Sequence, residues 1–236
     1  MRSNLYTLGF TSIVTIILGF FLALAADGLR DLQDTNVDND MKKNILVSLG
    51  FKPGSETPWT SDEIQKLFQK NIEAVVLDAS GQRTEKDPKE IDTEKDIEFL
   101  PIYLKKIGDN VEGYAIPIAG KGLWSTLFGY LAIEPDGRTV KGITFYKHGE
   151  TPGLGAEVDK AWFQQNFIGK RFVDENDQLV GIHVVKGKVQ SDDKEAYHKV
   201  DGISGATITG KGLEYFLKDD LGKYEPFFKQ VRDIQS

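Results

Sequence analysis

The chain opens on an uninterrupted apolar segment: from Leu5 to Ala26 no residue carries a charge. With a rise of about 1.5 Å per residue, a helix of that length reaches across a hydrocarbon core of about 30 Å, so the pattern predicts one transmembrane helix. Beyond it the pattern becomes periodic. Leu32, Val37, Met41, Ile45 and Leu49 recur among Asp, Asn and Lys at the spacing of an amphipathic helix, which Gly50 and Pro53 end. Thr60 followed by Glu63 is a capping-box signature, and Ile64, Leu67, Phe68 and Ile72 form the apolar face of a second helix reaching Asn71. A buried strand follows over Glu73 to Ala79. Residues 80–98 are dominated by charge and predict a solvated excursion with little packed surface.

Beyond residue 100 aromatic and β-branched residues punctuated by glycine predict strands near 112–119, 127–134 and 139–146, the last two joined by Pro135-Asp136-Gly137, and another over 179–187. Val158, Trp162 and Phe163 predict a helix over 156–167. Leu213, Phe216 and Leu217 predict one over 210–219, with a last helix over 225–233. Helices and strands in irregular order, with short hairpins, indicate an α+β domain with an antiparallel sheet rather than a doubly wound one. The expected organisation is a transmembrane anchor over 1–28, juxtamembrane helices and the charged excursion over 29–99, and a mixed α/β domain over 100–236.

With 236 residues, 40% apolar and 28% charged, the chain has the means to bury a substantial core. Its net charge of −7 argues against a nucleic-acid partner. Arg2 and the α-amino group precede the apolar segment, whereas Asp27, Asp31 and Asp34 with a single Arg30 follow it. The positive-inside bias therefore puts the N-terminus in the cytoplasm and the body outside. Ala23-Leu24-Ala25 has the look of a signal-peptidase site, but the apolar run is too long for a signal peptide's core, which favours an uncleaved anchor. There is no cysteine. That excludes thiolate-held clusters, disulfides and thiol nucleophiles, so redox chemistry here requires an organic cofactor. His148, His183 and His198 are too scattered along the chain to suggest a metal site, and Trp59 and Trp162 read as packing residues.

Three short motifs carry candidate chemistry. Asp201-Gly202-Ile203-Ser204-Gly205-Ala206-Thr207 offers a threonine hydroxyl in a run of small residues open to a modifying enzyme, although a glycine-rich turn before a helix has the same look. The overlapping run from Gly205 to Gly212 nearly spells a phosphate-binding P-loop, but Gly212 stands where a Mg²⁺-ligating hydroxyl is required and no buried strand precedes it. Between two predicted strands lies a loop, Tyr146-Lys147-His148-Gly149-Glu150-Thr151-Pro152-Gly153-Leu154-Gly155, whose glycines permit close backbone approach; alone it reads as a tight turn. Third, Gly120-Lys121-Gly122-Leu123-Trp124-Ser125 puts a tryptophan after two glycines at the mouth of a strand.

The Asp201–Thr207 segment resembles the motif on which bacterial flavin transferases attach FMN through its phosphate, and Glu150–Gly155 resembles the second signature of the same covalent-flavin family. The Gly120–Ser125 block and the segment Asp40–Leu46 resemble the C subunits of the Na⁺-translocating NADH:quinone reductases, a bacterial respiratory family. The flavin-bearing G subunits of Rnf-type ferredoxin:NAD ion pumps share the two flavin motifs but have a shorter body and lack the tryptophan block. The resemblance implies FMN in phosphoester linkage to Thr207, with Ser204, Gly205, Ala206, Glu150, Thr151, Gly153, Leu154, Trp124 and Lys211 around it. It implies that the transferase recognises Asp201. It further implies an electron carrier without catalytic residues or a metal of its own, held in the bacterial inner membrane with its body in the periplasm and partnered by the other membrane subunits of the complex. A membrane-anchored extracytoplasmic binding protein and a stand-alone flavin reductase remain as other classes, the latter without converging acid–base groups.

Overall fold

The computed structural model describes residues 4–54, 57–91, 96 and 98–235, without the side chains of 89 and 235. Arg2, on which the expected orientation partly rests, and residues 92–95 and 97 of the charged excursion lie outside these. The chain divides after Asp40 into two compact units.

The first unit is helical over its described residues. The apolar run and the amphipathic stripe, expected as separate helices, form one helix, α1, over Asn4–Ser48. Asp27 and Gly28 do not interrupt it, because a single glycine costs a helix interior only about 1 kcal/mol. Its apolar window is long enough to cross a membrane, and none of that window is buried by protein.

The second unit is built on a six-stranded antiparallel sheet of order β2-β1-β3-β4-β5-β6. Its strands are β1 (Ile72–Asp78), β2 (Arg83–Thr84), β3 (Phe99–Ile107), β4 (Asn110–Lys121), β5 (Thr126–Ile133) and β6 (Val140–Lys147). Side chains alternate across it as the pleat dictates. Leu100, Ile102 and Leu104 of β3, Ile116 and Ile118 of β4, and Leu127 and Leu131 of β5 join the larger core. Tyr103, Ala115, Tyr130 and Ala132 join a smaller one with Ile45 and Leu46 from the end of α1, Leu49 just beyond it and Ile64 of α2 (Ser61–Asn71). The larger core is closed by α4, Thr207–Gln235, through Leu213, Phe216, Leu217, Leu221, Tyr224 and Phe228. The capping box at Thr60 and Glu63 is formed, and Gly50 leaves α1 at a φ of 85°.

The structure departs from the expected elements at four further points. Helices 210–219 and 225–233 are one helix that starts at Thr207. Pro226 lies inside it, and the apolar seam against the sheet carries it past the lost hydrogen bond. Residues 156–167 do not form one helix but a 3₁₀ segment, Gly155–Asp159, and a short α3, Ala161–Gln165. Val158 and Phe163 are buried, but Trp162 is half exposed, with its Nε1 donating to Glu157. The strand over 179–187 shrinks to β7, His183–Val184, paired in parallel with β8, Lys199–Val200. Finally, β3 is announced by no sequence pattern, since Pro101 sits within it.

That proline shapes the sheet. β3 and β4 pair only as far as Tyr103–Ala115; continued, the register would set Pro101 against Pro117, two residues with no N–H to give. The strands separate there, and α4 serves the freed backbone groups. The Ala119 amide donates to Asp220 Oδ2 at 2.9 Å, and the Tyr224 hydroxyl donates to the Pro101 carbonyl at 2.8 Å. A cavity of about 300 Å³ remains in the split, with Pro101, Pro117, Tyr146, Asp220 and Lys223 among its walls.

Candidate functional site

The segment 201–206 is a tied-down loop. Gly202 N donates to Gly187 O at 2.8 Å, and Asp201 Oδ1 accepts from Val189 N at 2.8 Å, so 201–202 is fastened to the loop after β7. Ile203 and Ala206 are buried as anchors, while Ser204, Gly205 and Thr207 face solvent. Gly205 turns the chain at a φ of 74°, a conformation glycine adopts without strain. Thr207 then becomes the first residue of α4. Its hydroxyl stands at the positive end of a 29-residue helix, where the first amides have no intrahelical acceptor. Thr207 borders a groove of about 790 Å³ lined also by Trp162, Val184, Lys186, Lys188 and Lys211. The volume is that of an ordinary small-molecule site, and the three lysines supply cations for an anionic ligand.

The second motif approaches the first through Leu154. A Cβ placed on Gly205 would lie 2.7 Å from Leu154 Cδ2, so the leucine rests on the Gly205 backbone. Thr151 is exposed, and its carbonyl accepts from the amides of Leu154 and Ala156 at 3.1 Å each. Gly153 has a φ of 73° and open space around it. Glu150 is buried and faces protein donors. Its Oε1 accepts from Trp124 N at 2.8 Å and Ser125 N at 3.1 Å, and its Oε2 accepts from the Thr209 hydroxyl at 2.8 Å. Burial pushes this carboxyl's pKa up, but the amides of Trp124, Ser125 and Leu123 and the Thr209 hydroxyl outweigh it and hold the group below the ordinary value.

Trp124 projects from the turn between β4 and β5, closed by Gly122 N to Ser125 O at 2.8 Å, and its side chain is 68% exposed. The fold thus gathers Asp201, Ser204, Gly205, Ala206, Thr207 and Lys211 along one groove, with Leu154 against Gly205. Trp124, Glu150, Thr151 and Gly153 are not among the groove's walls. Trp162, Val184, Lys186 and Lys188 were not expected at the site. For two of them a sequence signal existed in the Lys186-Gly187-Lys188 run before the motif. The histidines are less scattered than the sequence suggests: His183 and His198 lie with ring centroids 5.2 Å apart, and His183 pairs with Glu214 at 2.8 Å. Among the described residues, however, no group of three or more side chains has the arrangement of a metal site.

A groove walled by apolar side chains and lysines, with a free hydroxyl at a helix N-terminus, fits a phosphate-bearing aromatic cofactor such as FMN. The FMN-binding domain family matches this chain over residues 122–221. The chain is 35% identical to the C subunit of the Na⁺-translocating NADH-quinone reductase of Vibrio anguillarum, over 93% of this chain and 92% of that protein. To the corresponding C subunit of Pseudomonas aeruginosa it is 33% identical, over 98% and 97%. Among solved structures, it is similar to the crystal structure of the C subunit of this reductase from Parabacteroides distasonis, with a TM-score of 0.73 and 33% identity over 85% of this chain and 96% of that one. The crystal structure of Shewanella oneidensis NqrC matches with a TM-score of 0.68 at 26% identity, over 83% of this chain and 97% of that one.

Proposed function

From the premise that this chain belongs to the C subunits of the Na⁺-translocating NADH-quinone reductases, we propose that it is the FMN-carrying electron-transfer subunit of such a complex. The FMN is bound covalently, as a phosphoester of the Thr207 hydroxyl. The observation that carries this reading is the exposed Thr207 at the start of α4, bordering a groove with Lys186, Lys188 and Lys211 in its wall. FMN supplies the redox chemistry when bound. The chain's own residues bind and orient it: the lysines and the free amides of α4 neutralise the phosphodiester, and Val184, Trp162 and Leu154 offer apolar cover. The protein makes and breaks no bonds in turnover. Holding a tethered cofactor at a fixed place relative to neighbouring redox centres is its contribution.

A flavin transferase installs the group and recognises Asp201, whose carboxylate shapes the loop that presents Thr207. The apolar half of α1 anchors the chain in the bacterial inner membrane with its body on the periplasmic side, where an untethered FMN would be lost to solvent. Intact mass of the protein produced together with a flavin transferase tests the attachment. The parent is expected to carry one FMN. Thr207→Ala is expected to carry none and Thr207→Ser to retain it, with the fold unchanged by circular dichroism. FMN persisting on Thr207→Ala overturns the assignment.

A further inference from the structure

Glu150, in the second motif, joins the Trp124 turn to the first turn of α4, and its surroundings are built around its carboxylate. Oε1 closes the Trp124–Ser125 turn and Oε2 takes the hydroxyl of Thr209, in the first turn of α4 and two residues after Thr207. The neighbouring glycines answer to the same group. A Cβ on Gly122 would lie 2.7 Å from Oε1, and one on Gly155 would lie 2.5 Å from Oε2. Neither glycine has a positive φ. What glycine supplies at both is room for the carboxylate, not backbone freedom. Ser125 adds a further tie, accepting from Gly149 N at 2.6 Å through its hydroxyl. Thr209 is 1% exposed and Glu150 5%, and a carboxylate held by several donors within the protein makes a rigid joint.

Resting on the reading that FMN is carried at Thr207, we propose that Glu150 is a positioning residue: through Thr209 and the Trp124–Ser125 amides it fixes the Trp124 turn and the Leu154 loop relative to the first turn of α4, and so sets the flavin's orientation without touching it. Leu154 is the arm of this joint, four residues from Glu150 and resting on Gly205. The carboxylate is already occupied by protein donors and so acts on the flavin only through the elements it ties.

The test uses the full-length chain, membrane-embedded and made with its flavin transferase, as parent, Glu150→Gln, Glu150→Ala and Thr209→Val. All three variants are expected to carry FMN by intact mass. Glutamine keeps an acceptor for the two amides and meets the Thr209 hydroxyl with its own amide, so its flavin circular dichroism should match the parent. Glu150→Ala should change the flavin circular dichroism and midpoint potential. It should also speed hydrogen exchange at the Trp124 and Ser125 amides at least tenfold, in unflavinylated protein too. Thr209→Val cuts only the tie to α4, so it should change the flavin signal while those two amides stay protected. Should Glu150→Ala fail to fold, the valine and glutamine variants still decide. A parent-like flavin signal in Thr209→Val or in folded Glu150→Ala, a glutamine variant whose flavin signal departs from the parent's, or a folded variant lacking FMN would each overturn the proposal. FMN retained on Thr207→Ala would instead overturn the attachment reading beneath it.

Discussion

Two threonines two residues apart have opposite fates in this structure. Thr207 is exposed beside the groove, whereas Thr209 is buried and donates its hydroxyl to Glu150. Thr209 is therefore not open to a modifying enzyme, and FMN should not migrate to it when Thr207 is removed. Among acids, Asp220 shows what burial costs. Desolvation raises its pKa, against the pull of Lys223 and the Ala119 amide. A carboxyl whose folded pKa is raised binds its proton more tightly in the native state, so ionising it costs stability as pH climbs past the unfolded value. Asp220→Asn carries no such cost and keeps an acceptor for Ala119. It is expected to be more stable than the parent at pH 7, with the gain lost as pH falls below the ordinary carboxylate range, in denaturant melts at pH 7 and at about pH 3. A variant less stable than the parent at pH 7 would show that the Lys223 contact outweighs desolvation.

At the scale of elements, α4 does more than cover the sheet. It caps the gap that Pro101 and Pro117 open between β3 and β4, through Asp220 and Tyr224. Tyr224→Phe keeps the ring in the core but leaves the Pro101 carbonyl without a donor in a buried site. The expected loss is about 1–3 kcal/mol by chemical denaturation, with an unchanged slope. A loss within error would mean that water replaces the hydroxyl from the adjoining cavity. Helix α2 was legible to the residue because its cap is written in sequence at Thr60 and Glu63. The extent of α4 was not. The sequence pattern breaks it between 219 and 225, just before Pro226, and only the seam from Leu213 to Phe228 against the sheet carries it through.

For the whole molecule, the charge-free span and its acidic C-terminal flank give an orientation that protease can check. Added to intact spheroplasts, it should degrade the body. Protection there, with cleavage only in inverted vesicles, would put the flavin on the cytoplasmic side. The compact unit beginning at Met41 contains both cores, which meet on opposite faces of one sheet. Strand β1 from the expected juxtamembrane segment joins the same sheet as the strands beyond residue 100.

Part of this protein is encoded by chemistry that acts between near neighbours in the chain. That covers the apolar run of α1, the capping box of α2, the strands β4 to β6 with their Pro135-Asp136-Gly137 turn, and the motif ending at Thr207. The alternation and turn residues of each act over a few positions, so they can be read from the sequence alone. The remainder took shape only through tertiary contacts. The family resemblance places Glu150 around the cofactor. The fold turned its carboxylate inward, because Trp124, Ser125 and Thr209, distant in sequence, bring their donors to that one spot. Lys186 and Lys188 became walls of the groove because Gly202 and Asp201 tie their loop back onto the motif. A hydrogen bond across many residues leaves no periodic trace in the chain, since its partners meet only once the sheet and α4 have closed on each other.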